Sequence, residues 1–218
     1  LASGATLGVN SGTYNFDGGA IVNGGTLRVN GGTANIAAAV TYSGSGNFVV
    51  SSGLLNSALG TALTPGSLTV SGGTARFAGT INTAALTLSG GTLSGPGTVT
   101  AGTLNWTSGT MGESLHGGGT TTITGATTIG ASGNQSIYYG HTLNLNGTTS
   151  WASGDNSYIF VYSAGGAEGT SKLNIGAGAT FTDAGAATEA GIRYIGYYGD
   201  GAVNNAGSTG RLLANGAG

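Results

Sequence analysis

The chain has 218 residues, of which 39% are hydrophobic and 6% charged, with a formal net charge of −2, 47 glycines and no cysteine. Nucleic-acid binding is excluded, because it needs a clustered basic surface and the five basic residues (Arg28, Arg76, Lys172, Arg193, Arg211) lie far apart. Also excluded are a disulfide framework and thiolate chemistry, a spanning helix of roughly 20 apolar residues, and disorder, which goes with few apolar residues and excess charge.

In chain order, one phrase recurs: apolar, any residue, apolar, Asn/Ser/Thr, then a Gly-rich turn. It reads LGVNSGT from Leu7, LRVNGGT from Leu27, FVVSSGL from Phe48, LTVSGGT from Leu68, LTLSGGT from Leu86 and LNWTSGT from Leu104, with weaker copies from Thr121, Leu143 and Leu173. Apolar residues two apart mean a strand. A second apolar pair follows the turn (Tyr14 and Phe16, Ala34 and Ile36, Ala75 and Phe77), and a third patch precedes the phrase (Ile21–Val22, Val40 with Tyr42, Ile81, Val99). The spacing predicts an all-β chain, a right-handed parallel β-helix (β-solenoid) with about three short strands per coil of roughly 18–21 residues. Nine coils make a rod of about 40–50 Å at the usual strand spacing. Hairpins are the competing arrangement, and Asp17-Gly, Asn23-Gly, Asn30-Gly and Asn146-Gly would suit their turns. The phrase repeats in one sense, however, which stacks like on like and requires a buried inner face.

Stacking places Asn10, Asn30, Ser51, Ser71, Ser89, Thr107, Thr124 and Asn146 at one repeat position, where a hydrogen-bonded ladder is expected along a corner. Residues 1–218 read as a single solenoid segment, with regular coils at 1–110, irregular coils at 111–218 and an aromatic-rich insertion about 151–170. A leading Leu1, with no Met or signal peptide, points to a piece of a larger protein. The stretch 183–192 fits a short helix or a loop equally.

Few residues suggest chemistry. The seven carboxylates are scattered, and glycosidic acid–base work needs two within roughly 5–10 Å; the best pair is Asp155 with Glu168. Two histidines, His116 and His141, with Glu113 nearby, fall short of a usual metal cluster, and read more simply as polar loop positions. Gly117–Gly119 lacks the Lys and helix of a phosphate loop. The expectation is therefore no catalytic residue, no metal and no cofactor. A threonine set (Thr6, Thr26, Thr69, Thr87, Thr103, Thr120, Thr122, Thr142) has the flavour of an ice-binding array, but Gly8, Arg28, Asn47, Val49, Asn105 and Lys172 break it. The best ligand signal is aromatic: Tyr138, Tyr139, Trp151, Tyr158, Tyr162, Tyr194, Tyr197 and Tyr198 crowd the second half, and such rings stack on sugars or anchor protein contacts.

The stretch Leu86–Ala131, with LTLSGGTLSGPGTVTAGTLNWTSGTM followed by GGGTTTITGATTIGA, resembles secreted bacterial β-helix exoproteins of the filamentous haemagglutinin and autotransporter-passenger type. HTLNLNGTTSW (141–151), KLNIGAGATFTDAG (172–185) and GAVNNAGSTG (201–210) share the likeness. The resemblance implies type V export, an extracellular or cell-surface location, and a role in adhesion, aggregation or biofilm, without enzymatic activity. Its implied partners are surface glycans, matrix polysaccharide or other cells, with no nucleic acid and no membrane insertion by this segment. The alternatives are a carbohydrate-active β-helix enzyme or tail-spike-like polysaccharide binder, and an ice-binding solenoid.

Overall fold

A computed structural model describes residues 1–59, 62–116, 118–130, 135–152, 158–163, 169–184, 194–198, 201–209 and 214–216; for 194–198, 208–209 and 214–216 the description is of the backbone. Every described strand pairing is parallel, no described residue is helical, and one sheet winds through twenty of the strands. The chain is a β-solenoid whose successive coils lay three faces over one another.

The first face holds the recurring phrase. Its Cα register runs Leu7, Leu27, Phe48, Leu68, Leu86, Leu104. From Leu27 onward this column is at most 2% exposed. A second inward column, Val9, Val29, Val50, Val70, Leu88 and Trp106, lies two residues along and is equally buried. Burying each such aliphatic side chain contributes about 1.5–3 kcal/mol, which is how a weakly charged chain without disulfides holds together. The second face carries Ala34, Leu55, Ala75, Leu93, Met111, Ile137 and Val161 inward. On the third face Ile81, Val99, Thr121, Leu143 and Leu173 form one inward column.

That third column corrects part of the sequence expectation. The copies from Thr121, Leu143 and Leu173 do not continue the first face; they stack on Val99. The first face passes instead from Leu104 to Thr127, Thr149 and Phe181. The nine phrases are therefore not nine equivalent coils. The physical reason is that Thr127 and Thr149 replace leucine at the inward position, so the apolar signal jumps to the neighbouring face.

Close stacking explains the glycine content at the corners. Gly53 has φ 77°, and a Cβ there would run into the Gly32 carbonyl of the coil below. Four strands, Thr26–Ile36, Asn47–Ser57, Thr80–Ser94 and Thr98–Met111, carry the hydrogen-bond ladder straight through the first corner. The register shifts there, between Val29 and Asn30 for example.

The polar ladders lie elsewhere than the corner position suggests. Among the eight corner residues, the Ser51 hydroxyl donates to Asn30 Oδ1 at 2.7 Å, and the Thr124 hydroxyl turns to the Ala101 carbonyl. Asn10, Ser71, Ser89, Thr107 and Asn146 form no rung, and Thr124 and Asn146 follow third-face strands, at another corner. The continuous ladders are outward mid-strand amides. On the second face Asn56 donates to Asn35 at 3.2 Å and Asn35 to Asn15 at 2.8 Å. On the third face Asn204 donates to Asn174, Asn174 to Asn144 and Asn144 to Thr122, at 2.8, 2.7 and 3.1 Å. Carboxamides held in register span the spacing of two coils at each step, whereas the register-shifted corner yields the single Ser51–Asn30 rung.

Candidate functional site

The second face gathers the aromatics. In the strand Tyr158–Tyr162, Ile159 and Val161 are fully buried. The two-residue alternation of a strand therefore turns Tyr158, Phe160 and Tyr162 outward. Tyr158 and Phe160 stack, with centroids 5.5 Å apart and planes 26° apart. Below this strand lies Gln135–Tyr138, with Tyr138 in register with Tyr162. The Tyr138 ring meets Tyr162 at 5.5 Å and 77°, and Tyr139 at 5.9 Å and 82°. These edge-to-face pairs each add about 0.5–1.5 kcal/mol beyond simple burial. Tyr162 is 39% exposed. Above, the backbone of Tyr194–Tyr198 pairs in register, with Tyr194 over Tyr158 and Tyr198 over Tyr162.

The corner leaving this face is unusual. Tyr139 has φ 55°, and Leu115, in the corner one coil below, has φ 67°. These are the two non-glycine residues with positive φ among the described residues, a conformation that costs roughly 1–2 kcal/mol for an L-residue. The Gly118 amide donates to the Tyr139 carbonyl at 2.9 Å, tying the two corners together. Leu115 is 86% exposed.

Four of the expected ligand residues, Tyr138, Tyr139, Tyr158 and Tyr162, thus lie together, and Tyr194 and Tyr198 share their register positions. Tyr197 pairs with Val161, at an alternate position, and its side chain falls outside the described ones. Trp151 is a correction: it is 3% exposed in the first-face inward column after Trp106 and Ile129, with its ring 6.4 Å from Phe181. A core ring of this kind offers no face to a ligand. Phe160 and Leu115 were not anticipated as site residues. Phe160 was readable from its place between Tyr158 and Tyr162; nothing local marks Leu115.

Charge near the corner is self-cancelling. Arg76 projects from the outward column that also holds Asn56 and Ser94, and its guanidinium donates to the Glu113 carboxylate at 2.8 Å, as does the Ser94 hydroxyl at 2.9 Å. Burial alone would raise the Glu113 carboxyl, but the Arg76 and Ser94 hydrogen bonds and the Arg76 charge outweigh it and hold the group below its ordinary range.

The two histidines part company. His116 is exposed on the corner loop, while His141 is buried beside Thr121, whose hydroxyl lies 3.0 Å from its Nε2. His141 is therefore not a solvated loop residue, and burial lowers its pKa from 6.5 to about 4. Because the folded state resists the proton that the unfolded chain accepts, this contribution is intact above pH 6.5, falls as pH drops towards 4, and is constant below. At 1.36 kcal/mol per pKa unit the loss amounts to about 3 kcal/mol. Unfolding midpoints of wild type and His141→Gln, followed from pH 7 to 4.5, should show the slope in the wild type and a flatter profile in the variant. A wild-type profile with no slope in this window would contradict it.

Among the described residues no group of three or more His, Asp or Glu is placed to hold a metal ion, and no helix is long and apolar enough to cross a membrane. Asp155 and Glu168 lie outside the described residues, as does most of the stretch 183–192. A shallow depression of about 400 Å³ on the first face is lined by Ala85, Thr87, Thr103, Asn105, Ala126 and Thr128, with no acid or base to act there. The threonine set divides between faces: Thr6 and Thr26, like Thr69, Thr87 and Thr103, lie on the first, and Thr120, Thr122 and Thr142 on the third. What the aromatic surface can do is stack on flat apolar faces and donate phenolic hydrogen bonds. No protein-family model, no curated protein and no solved structure matches this chain.

Proposed function

We propose that this chain is a structural and adhesive β-solenoid segment of a large secreted or surface-displayed bacterial adhesin, working in cell–cell or cell–surface attachment or in a biofilm matrix. The observation that carries this reading is the outward aromatic strand Tyr158–Phe160–Tyr162 beside Tyr138 and Tyr139. A rigid, weakly charged rod holds those rings at fixed spacing, so little conformational entropy is lost when a partner docks. The chemistry is recognition without bond-making, and its partners are surface glycans, matrix polysaccharide or other cells outside the producing cell.

Ice binding has one observation in its favour. The third face aligns Thr80, Thr98, Thr120 and Thr142 in one outward column and Asn82, Thr100, Thr122 and Asn144 in the next. Lys172 interrupts the first column, and in the second Asn144 spends its amide donating to Thr122 and accepting from Asn174. The adhesive reading is therefore preferred.

The test is a cell-aggregation and glycan-array screen of the purified chain beside a Tyr158→Ala/Tyr162→Ala variant. Binding by the wild type that the variant loses is the expected result. Equal binding by both contradicts the aromatic site, and no binding by either leaves a plain stalk. Thermal hysteresis with no glycan or cell binding would favour ice instead.

A further inference from the structure

The edge between the second and third faces concentrates three independent oddities. Leu115 and Tyr139 hold positive φ in consecutive coils, where other corners of this chain use glycine, as at Gly12, Gly53 and Gly109. Bulky residues persist in such a conformation only when the surroundings over-determine it, and they cluster at ligand-contacting sites. Outside the outermost coil (Leu7, Tyr14, Val22), the exposed large apolar side chains among the described residues are Leu115 and Tyr162, and both lie on this edge. The edge also carries little charge: Leu115, Tyr138, Tyr139 and Tyr162 are uncharged at neutral pH, the adjoining Arg76 and Glu113 neutralise each other at 2.8 Å, and the exposed Lys172 follows Ser171, whose hydroxyl donates to the Tyr162 carbonyl.

We propose that Leu115, Tyr139 and Tyr162, backed by Tyr138, form the contact line for an uncharged glycan laid along the solenoid axis, and that the backbone strain at Leu115 and Tyr139 serves to present their side chains. This deepens, and rests on, the adhesive reading. The three residues come from successive coils, so the line spans about 10 Å at the usual strand spacing, the length of a short oligosaccharide. Tyrosine supplies a ring face for the apolar side of a pyranose and a hydroxyl for its polar rim. Among the described residues a sulfated or uronate polymer would find a single exposed lysine, Lys172, near this line rather than a cluster of cations to match it.

The experiment measures retention of the full chain on immobilised neutral polysaccharides (a β-glucan, a mannan, a galactan) and on alginate and heparin. Leu115→Gly and Tyr139→Gly are run beside the wild type and a Thr128→Ala control, with melting temperatures for all. The wild type is expected to be retained by at least one neutral polymer. Leu115→Gly is expected to melt at or above the wild-type temperature, because glycine tolerates positive φ, and Tyr139→Gly close to it, because loss of the Tyr138 contact offsets that relief; both are expected to bind about ten-fold more weakly. Wild-type binding unchanged in both variants overturns this inference and leaves the adhesive reading standing. So does preference for the charged polymers, a lowered melting temperature in Leu115→Gly, or self-association that the variants lose without any glycan retention. Failure of the wild type on every polymer and every cell surface overturns the adhesive reading itself.

Discussion

Phe48→Ala should destabilise the chain by about 3–5 kcal/mol, the range for truncating a large buried aromatic. Phe48 is fully buried between Leu27 and Leu68 of its column and packs its ring 5.4 Å from that of Tyr42. In a solenoid each coil touches only its neighbours, so the cavity cannot be filled by a distant element, and the two flanking leucines must either collapse or remain unsupported. The matched control is Thr69→Ala, whose side chain alternates outward between the buried Leu68 and Val70 and whose loss should stay within about 0.5 kcal/mol. Denaturant midpoints measure both. A cost below about 1 kcal/mol at Phe48 would mean that the column is not close-packed.

Gly53→Ala should cost about 3 kcal/mol or more, and Gly4→Ala only about 1 kcal/mol. The two glycines have nearly the same backbone angle, φ 77° and 79°, so the intrinsic penalty for a side chain at positive φ is shared. They differ in surroundings. Nothing lies within 4 Å of a Cβ built at Gly4, whereas at Gly53 it would collide with the Gly32 carbonyl. That obstacle is backbone of the coil beneath, which can move only by breaking ladder hydrogen bonds, so overpacking adds to the dihedral cost. Equal losses at both sites in thermal unfolding would show that the corner is not closely stacked.

The sequence pattern carried the architecture where apolar residues hold a column without a break. Leu27, Phe48, Leu68 and Leu86 recur at steady spacing with strand alternation, and parallel stacking is the arrangement that buries all four. The pattern lost the thread at Thr127 and Thr149. Spacing alone does not say which face a strand belongs to, and the nearest apolar phrases, at Thr121 and Leu143, lie on the third face. The same slip hid the burial of Trp151, which follows directly once Thr149 is placed in the inward column. Asn15, Asn35 and Asn56 form a ladder because mid-strand outward positions stay in register, while the corner position drifts; no residue count reveals that drift. Of the site, the crowding of tyrosines was legible and Phe160 followed from alternation. Leu115 and Tyr139 were not, since positive φ is ordinarily signalled by glycine and here it is imposed by tertiary constraints.

The central claim is that like positions of successive coils lie directly over one another in parallel. Since the chain has no cysteine, paired substitutions report on this without interference. Thr69 and Thr87 are Cα partners on the outer first face, and Asn105 is the next partner beyond Thr87. Neighbouring strands lie about 4.8 Å apart, inside the range a disulfide bridges, and positions two coils apart do not. Oxidation of Thr69→Cys/Thr87→Cys should give a high yield of intramolecular disulfide, and Thr69→Cys/Asn105→Cys almost none. The reverse order, or equal yields, would contradict the stacked solenoid.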